Sequence, residues 1–148
     1  MDHIDRKILD YLQQDASIRN VDLADRVGLA PSSCLRRVRI LWQSGIITRS
    51  IILTDSEKMG RHIKAIVSVK LVDHGNDACE DWFASLADER AVSQAYSVSG
   101  EMDAVVILTL ANMKEFQELS QSLFAGNSNV FQFVTQFVLE ELKFNLAH

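Results

Sequence analysis

Three arginines, Arg36, Arg37 and Arg39, fall within four residues of a segment (26–54) that contains no aspartate or glutamate. A guanidinium group neutralises phosphate, and it can donate two hydrogen bonds to the O6 and N7 atoms of guanine. This local positive charge contrasts with the whole chain, which has a formal net charge of -5. The cluster therefore indicates contact with a polyanion, and double-stranded DNA is the partner that arginine chemistry favours.

The segment 31–44 is predicted to be a helix, with Pro31 in its first turn and Gly45 after its end. At ~100° per residue, a face centred on Val38 gathers the apolar residues Cys34, Leu35, Leu41 and Trp42. The opposite face gathers the polar residues Ser32, Ser33 and Arg36, with Arg37 and Arg39 on its flanks. We expect Arg36 and Arg37 to be the main DNA contacts. The alternative is a helix face that is merely solvated. The predicted caps, the turn glycine and the helical phase instead agree with a helix that packs its apolar face against the preceding helices and presents its polar face to DNA.

Two shorter helices are predicted before this one. Asp2 is a suitable N-cap for the first, whose apolar residues recur at helical spacing. Asn20 is predicted to cap the second helix, and Gly28 to end it because glycine accepts a left-handed backbone. Two helices joined by a tight turn, the second with exposed arginines, make a helix-turn-helix pattern. The β-branched segment 46–53 predicts a strand, the wing, in which Arg49 would contact phosphate.

The C-terminal half predicts a different architecture. Its predicted strands and helices follow the order β-α-β-β-α-β, which is the ferredoxin-like arrangement. In that order they comprise residues 63–72, 76–89, 91–98, 103–110, 112–126 and 130–144. For the helix at 112–126, Asn112 is the predicted N-cap. The residues predicted to point into the core are Met113, Phe116, Leu119 and Leu123. The sequence thus predicts an α+β protein with a winged helix-turn-helix at 1–53, a linker at 54–62 and a ferredoxin-like domain at 63–148.

The distribution of charge and the composition limit which classes of function are possible. Residues 1–60 have nine lysines and arginines against eight aspartates and glutamates, whereas residues 61–148 have six against twelve. This asymmetry favours DNA binding by the first part alone. The two cysteines lack metal-site or disulfide spacing, so we expect no metal and two packed thiols. The longest uncharged apolar run, 104–113, is too short to span a membrane, so we expect a cytoplasmic protein with no membrane partner.

Several blocks of sequence resemble the Lrp/AsnC family, the leucine-responsive and asparagine-related transcriptional regulators. They are "IDRKIL" (4–9), "NVDLADRVGL" (20–29), "CLRRV" (34–38), "SGII" (44–47), "SGEMD" (99–103) and "VTQFVLEELK" (134–143). The resemblance covers nearly the whole chain and pairs both domains in order. It implies a sequence-specific DNA-binding regulator whose oligomeric state or DNA affinity responds to an amino acid. It also implies that the open face of the second domain's sheet pairs with another subunit, giving a homodimer and even-numbered assemblies such as an octamer.

The resemblance further implies an amino-acid site between dimers, with no other cofactor. Carried over to this sequence, the site comprises Ser99, Gly100, Glu101, Met102, Asp103, Met113, Thr135, Gln136 and Phe137. The carboxylate of Asp103 would accept hydrogen bonds from the ligand's α-ammonium group, and N–H groups around Gly100 would bind its carboxylate. The side chains of Met102, Met113 and Phe137 would favour an apolar or sulfur-containing ligand.

Two alternatives to an amino-acid-responsive regulator remain at this point. Ala104 stands where the family usually has an aromatic residue, and "SN" (128–129) replaces a Pro-Gly turn; both differences leave a ligand-independent, DNA-organising regulator as one alternative. The other is a small-molecule enzyme, because ferredoxin-like folds also host catalysis. The sequence lacks the HExxH, GxSxG and glycine-rich phosphate motifs that common enzyme classes need, so we expect no enzymatic activity.

Overall fold

A computed structural model describes residues 1–73 and 75–144 of the chain. They divide into two compact units, residues 1–53 with 142–144, and residues 54–141. The first unit is helical and the second combines a sheet with helices, so the predicted α+β class is confirmed. His74 and residues 145–148, which belong to the predicted ferredoxin-like domain (63–148), lie outside the described residues.

The first unit contains three helices, α1 (His3–Gln14), α2 (Asn20–Val27) and α3 (Pro31–Gln43). Asp2 caps α1 as predicted: its carboxylate accepts hydrogen bonds from the N–H groups of Ile4 and Asp5, both at 2.9 Å. Gly28 ends α2 with a left-handed backbone (φ +72°), also as predicted. The prediction that Asn20 caps α2 is wrong: Asn20 is the first helical residue, and its side-chain amide instead donates to the carbonyl of Pro31 at 2.8 Å.

The core of the first unit lies where the three helices meet. It contains the buried residues Ile8, Leu23, Ala24, Val27, Cys34 and Leu41. The predicted apolar face of α3 is therefore too wide, because Leu35 and Trp42 are 40% and 44% exposed. Two short partner helices cover only a narrow stripe of α3, so side chains near the edge of its apolar face stay in solvent.

The predicted wing strand at 46–53 is wrong for the single chain. The segment is irregular, and Ile52 near its end is 90% exposed. A strand requires hydrogen bonds from a neighbouring strand, and residues 1–53 contain no second strand that could supply them. The predicted linker that follows forms a turn in which the carboxylate of Asp55 accepts from the N–H groups of Glu57 and Lys58.

The second unit has the predicted β-α-β-β-α-β order. Its elements are β1 (Ile63–Leu71), α4 (Asn76–Asp88), β2 (Val92–Ser97), β3 (Ala104–Leu110), α5 (Met113–Ser120) with a π-helical turn (Gln121–Ala125), and β4 (Val130–Phe137). The strands form one sheet in the order β2-β3-β1-β4, and each neighbouring pair is antiparallel. Alternate residues of the two central strands are buried against Trp82 and Leu86 of α4 and Leu123 and Phe124 of the π-helical turn.

Three details of this unit differ from the sequence prediction. Strand β2 lies at the sheet edge and is almost wholly exposed, whereas the alternating sequence of 91–98 predicts a half-buried strand. Met113, predicted to point inward, is 46% exposed because it begins α5 directly after the cap Asn112. The last strand ends at Phe137, seven residues before the end of the predicted segment 130–144. Among the described residues, no helix is long and apolar enough to cross a membrane.

Candidate DNA-binding and effector sites

Helix α3 presents its polar residues on the side away from the core. Pro31 occupies its first turn, and Ala30 precedes it as an N-cap without a side-chain hydrogen bond. Ser32 is exposed and Ser33 is half-buried in the same turn. One turn later, Arg36 and Arg39 are exposed, and no carboxylate of the described chain forms an ion pair with either of them. These four side chains make up a compact surface of hydrogen-bond donors with two uncompensated positive charges, which we call the α3 donor surface.

Arg37 lies in a different environment from its two neighbours. Its guanidinium Nη1 is 2.8 Å from Oδ2 of Asp2 and 2.7 Å from Oδ1 of Asp5. These contacts direct the Arg37 side chain towards the start of α1. Arg49 lies in the irregular segment after α3 and is exposed, so no wing strand fixes its position. The structure thus brings Ser32, Ser33, Arg36 and Arg39 together on α3, pairs the adjacent Arg37 with Asp2 and Asp5, and leaves Arg49 outside the helix.

A shallow cavity of about 320 Å³ opens beside the C-terminal half of α3. Arg36 and Arg37 line one side of it, and the remaining wall consists of Met1, Asp5, Ile40, Leu41, Ser44 and Ile46. Ile40 therefore packs beside the arginines on the outer side of α3, where an apolar side chain can contact the methyl group of thymine.

The predicted effector loop joins β2 to β3. Its ends are held together by the N–H of Val98, which donates to the carbonyl of Asp103 at 3.0 Å. Gly100 has a φ of +124°, a backbone conformation that residues with a Cβ rarely adopt. The Asp103 carboxylate accepts from the N–H of Leu71 at 2.8 Å, and the Asp103 N–H donates to the carbonyl of Val69 at 2.9 Å. Ser99 and Glu101 are exposed, and Met102 is half-buried.

The other predicted effector residues lie on β4 and α5. Thr135 and Phe137 share the helix-covered face of the sheet, because they pair with the buried residues Val67 and Ala65. The ring of Phe137 meets that of Phe116 edge to face, with 5.1 Å between centroids. The hydroxyl of Thr135 is buried and has no hydrogen-bond partner among the described residues. Gln136 pairs with Ile66 on the opposite, open face.

A single chain does not bring the two parts of the predicted effector site together. The strand register places Ala104, after the loop, opposite Val69, whereas Phe137 lies opposite Ala65. Four residues along a strand correspond to roughly 13 Å, and β1 lies between the two other strands. The loop 99–103 and the residues 135–137 are therefore at separate places on the sheet.

Two family models match this chain. The model described as "Winged helix-turn-helix DNA-binding" matches residues 1–48. The model described as "Lrp/AsnC ligand binding domain" matches residues 64–147, more than half of the chain. The chain belongs to the Lrp/AsnC family. Membership of this family of helix-turn-helix transcriptional regulators confirms the resemblance in the sequence, and it accounts for the order of the two units.

Relatives of known name agree with this membership. The leucine-responsive regulatory protein of Rhizobium meliloti (strain 1021) is 33% identical over 143 residues, which are 97% of this chain and 92% of that protein. The Haemophilus influenzae protein of the same name is 32% identical and shares 97% of this chain and 86% of its own length. Both relatives are leucine-responsive regulatory proteins by name.

A solved structure is similar over its whole length. The transcriptional regulator from Neisseria meningitidis that was crystallised as a complex with L-Met has a TM-score of 0.95 and 30% sequence identity. The similarity covers 100% of this chain and 96% of the Neisseria protein. An AsnC family regulator from Agrobacterium tumefaciens has a TM-score of 0.93 and 25% identity, and covers 99% and 95% of the two chains.

Sequence reasoning missed the ion cluster of Arg37, Asp2 and Asp5. A local signal was present, because two aspartates spaced three apart at a helix start are typical of a capping box, in which both side chains are fixed. The helical phase of α3 also placed Arg37 at the edge of its polar face. Neither signal reveals the contact itself, which joins residues 35 and 32 positions apart in the chain.

Proposed function

We propose that this Lrp/AsnC chain binds double-stranded DNA by placing α3 in the major groove. One observation carries the proposal: Arg36 and Arg39 are exposed on a helix that is fixed by the buried residues Cys34 and Leu41. A helix held in this way presents its donors in a constant geometry, as recognition helices do. Ser32 and Ser33 contact phosphate near the helix start, and Arg49 adds a phosphate contact after it. A cytoplasmic location follows from this partner.

The test is a series of titrations of fluorescent duplex DNA at several salt concentrations. Arg36→Ala and Arg39→Ala are compared with the wild type and with Arg90→Ala, which removes an exposed arginine of the second unit. The binding constant K falls as salt rises, and each lost phosphate contact reduces the magnitude of the slope of log K against log salt by ~0.9. A lost base contact costs ~1–3 kcal/mol of binding free energy. Equal affinity and slope in all four folded proteins would refute the assignment to α3.

We further propose that the second unit binds an amino acid that changes DNA affinity or assembly. The match to the Lrp/AsnC ligand-binding domain and the L-Met complex of the Neisseria relative support this proposal. The ligand contacts are Asp103 and the backbone of the loop 99–103 in one subunit, with Met113 and the residues 135–137 from another. A site divided between subunits is consistent with the separation of these residues on one chain. Isothermal titration calorimetry with each of the twenty amino acids tests for the ligand, and a regulator that is independent of ligand would bind none of them.

Self-association is the third part of the proposal. The helices cover one face of the sheet, and the opposite face carries the half-buried apolar residues Ile66, Val105 and Ile107. A two-layer unit leaves such a face open to a partner. A second copy of the chain is the proposed partner, giving a homodimer with two copies of α3 and, by further contacts, even-numbered assemblies such as an octamer. A symmetric dimer binds two half-sites spaced by a whole number of DNA turns.

A further inference from the structure

We propose that Arg37 is a positioning residue for DNA binding: it fixes α3 to the N-terminus of α1 through Asp2 and Asp5 and does not itself contact DNA. The inference rests on the proposed DNA-binding function. It replaces the sequence-based expectation that Arg37 is a main contact, and it gives the capping box of α1 a role in the orientation of α3.

The two carboxylates are fixed by the backbone of α1, independently of Arg37. Asp2 Oδ1 accepts from the N–H groups of Ile4 and Asp5, and Asp5 Oδ2 accepts from the N–H of Asp2, all at 2.9 Å. Each carboxylate thereby has one oxygen left towards α3. The guanidinium of Arg37 binds both of these oxygens through a single nitrogen. The two free oxygens of the capping box, Asp2 Oδ2 and Asp5 Oδ1, are therefore already in position to bind one guanidinium group of α3.

The partial burial of Arg37 and Asp5 favours a lasting contact, although the Asp2 side chain is 49% exposed. The side chain of Asp5 is 15% exposed and that of Arg37 is 27% exposed, so part of the cluster is shielded from water. Hydrogen bonds from the N–H of Asp5 and from Arg37 lower the pKa of Asp2 to about 2. Hydrogen bonds to Asp5 and then to Asp2 raise the pKa of Arg37 above its usual value. Asp2 and Arg37 are therefore both charged at neutral pH.

The charge balance argues against a phosphate contact by Arg37. Two carboxylates and one guanidinium give the cluster a net charge of -1. If Arg37 left the cluster for a DNA phosphate, both carboxylates would lose their cation while remaining close to the DNA. Arg36 and Arg39 meet no such cost, because no ion pair joins them to the described residues. The positive charge that attracts DNA thus belongs to these two arginines, and the charge of Arg37 is used within the protein.

The geometry of the cluster links it to the α3 donor surface. Arg37 follows Arg36 directly, and both line the cavity that also contains Asp5. Cys34 and Leu41 hold α3 by non-directional packing, whereas the two ion pairs of Arg37 define the rotation of α3 about its axis. Without them the packing still holds the helix, but the direction of Arg36 and Arg39 is less well defined.

The test compares Arg37→Gln with Arg36→Gln in the full-length protein, by titration of duplex DNA at four salt concentrations. Arg36→Gln is expected to lower the magnitude of the salt slope by ~0.9. Arg37→Gln is expected to weaken binding by up to about fivefold, the scale of a partly exposed ion pair, with the wild-type salt slope. Circular dichroism checks that each variant is folded, and Arg37→Lys, which can remake an ion pair, is expected to restore part of the affinity.

Asp5→Asn provides the opposite charge change. If Arg37 contacted phosphate, removal of this carboxylate would strengthen DNA binding. If Arg37 positions α3, Asp5→Asn weakens binding, and the double variant Asp5→Asn/Arg37→Gln binds no worse than Arg37→Gln alone. A reduced salt slope in Arg37→Gln, or tighter binding by Asp5→Asn, overturns the inference. Absence of any effect of Arg36→Gln would instead count against the proposed function, so the two failures are distinguishable.

Discussion

The carboxylate of Asp103 accepts a hydrogen bond at 2.8 Å from the backbone N–H of Leu71, which ends the neighbouring strand. This contact ties the proposed effector loop to the centre of the sheet. It gives Asp103 a structural role in addition to the proposed contact with the α-ammonium group of a ligand. The two roles make different predictions for two substitutions.

Asp103→Ala should destabilise the second unit by ~1–3 kcal/mol, because the part-buried N–H of Leu71 loses its acceptor. Asp103→Asn keeps an acceptor oxygen, so it should be less destabilising, yet it should bind an amino acid at least about tenfold more weakly because the negative charge is gone. Urea unfolding is followed by the fluorescence of Trp82 in a Trp42→Phe background, and binding by calorimetry. Wild-type affinity in Asp103→Asn would show that the carboxylate does not bind the ligand.

Gly100→Ala should destabilise the second unit by ~1–3 kcal/mol, the range for a strained backbone. An added Cβ would meet no atom within 4 Å, so the cost arises from the φ of +124° alone. Urea unfolding measured through Trp82 checks this value. Glu101→Ala, at an exposed neighbouring position, is the control and should stay within ~0.5 kcal/mol of the wild type. Equal stability of the two variants would mean that the loop relaxes to another conformation.

Ile107→Lys should convert the proposed dimer into a monomer. Ile107 lies on the open face of the sheet, paired with Ile66 and next to β2, so a second subunit on this face would bury the introduced ammonium group without a partner. Sedimentation velocity at micromolar concentration measures the mass. Val72→Lys, at an exposed position just after β1, is the matched control and should remain dimeric. A monomeric wild-type protein would contradict the proposed interface.

The stabilisation of α1 by Asp2 should disappear in acid. The folded protein lowers the pKa of Asp2 from 3.8 to about 2, so the contribution of Asp2 is complete above the higher value and is lost as the pH falls through the lower one. Hydrogen exchange of the α1 amides compares Asp2→Asn with the wild type at each pH. The difference in protection should be constant above about pH 5, decrease as the pH falls, and be absent only near about pH 1. Asp10→Asn, at an exposed site of the same helix, is the control; a difference that persists in acid would contradict the assigned pKa.

Local features of the fold were predictable from sequence because they depend on local chemistry. Asp2, Gly28 and Asn112 each act within one helical turn, and their residue types alone identified a helix end. The alternation of buried residues in β1 matches its period-two hydrophobicity, whereas β3 is an almost continuous apolar run whose sequence does not distinguish its buried face from its open face. Helix-turn-helix and ferredoxin-like units followed from the order of these elements.

The predictions that were wrong or absent depend on contacts between distant parts of the chain, which the spacing of residues in the sequence does not encode. The segment 46–53 has the composition of a strand, but the strand is absent because the described chain gives it no partner. Leu35 lies within the apolar phase of α3 and is nevertheless 40% exposed, because the core of the first unit reaches only Cys34 and Leu41 on this helix. The pairing of Arg37 with Asp5 joins residues 32 positions apart, and only the packing of α3 against α1 creates it.

The proposed function is that the protein binds specific DNA through α3 and that an amino acid changes this binding. Its most direct test is to let the full-length protein select duplexes from a pool of random DNA sequences. The selection is done with and without the amino acid that calorimetry identifies. We expect an enriched pseudo-palindrome with half-sites one or more turns of ~10 base pairs apart. We also expect that the amino acid changes the affinity for this sequence and that Arg36→Ala/Arg39→Ala binds it no better than random DNA. Recovery of no enriched sequence, or equal binding of the selected duplex by this double variant, would refute sequence-specific DNA binding through α3.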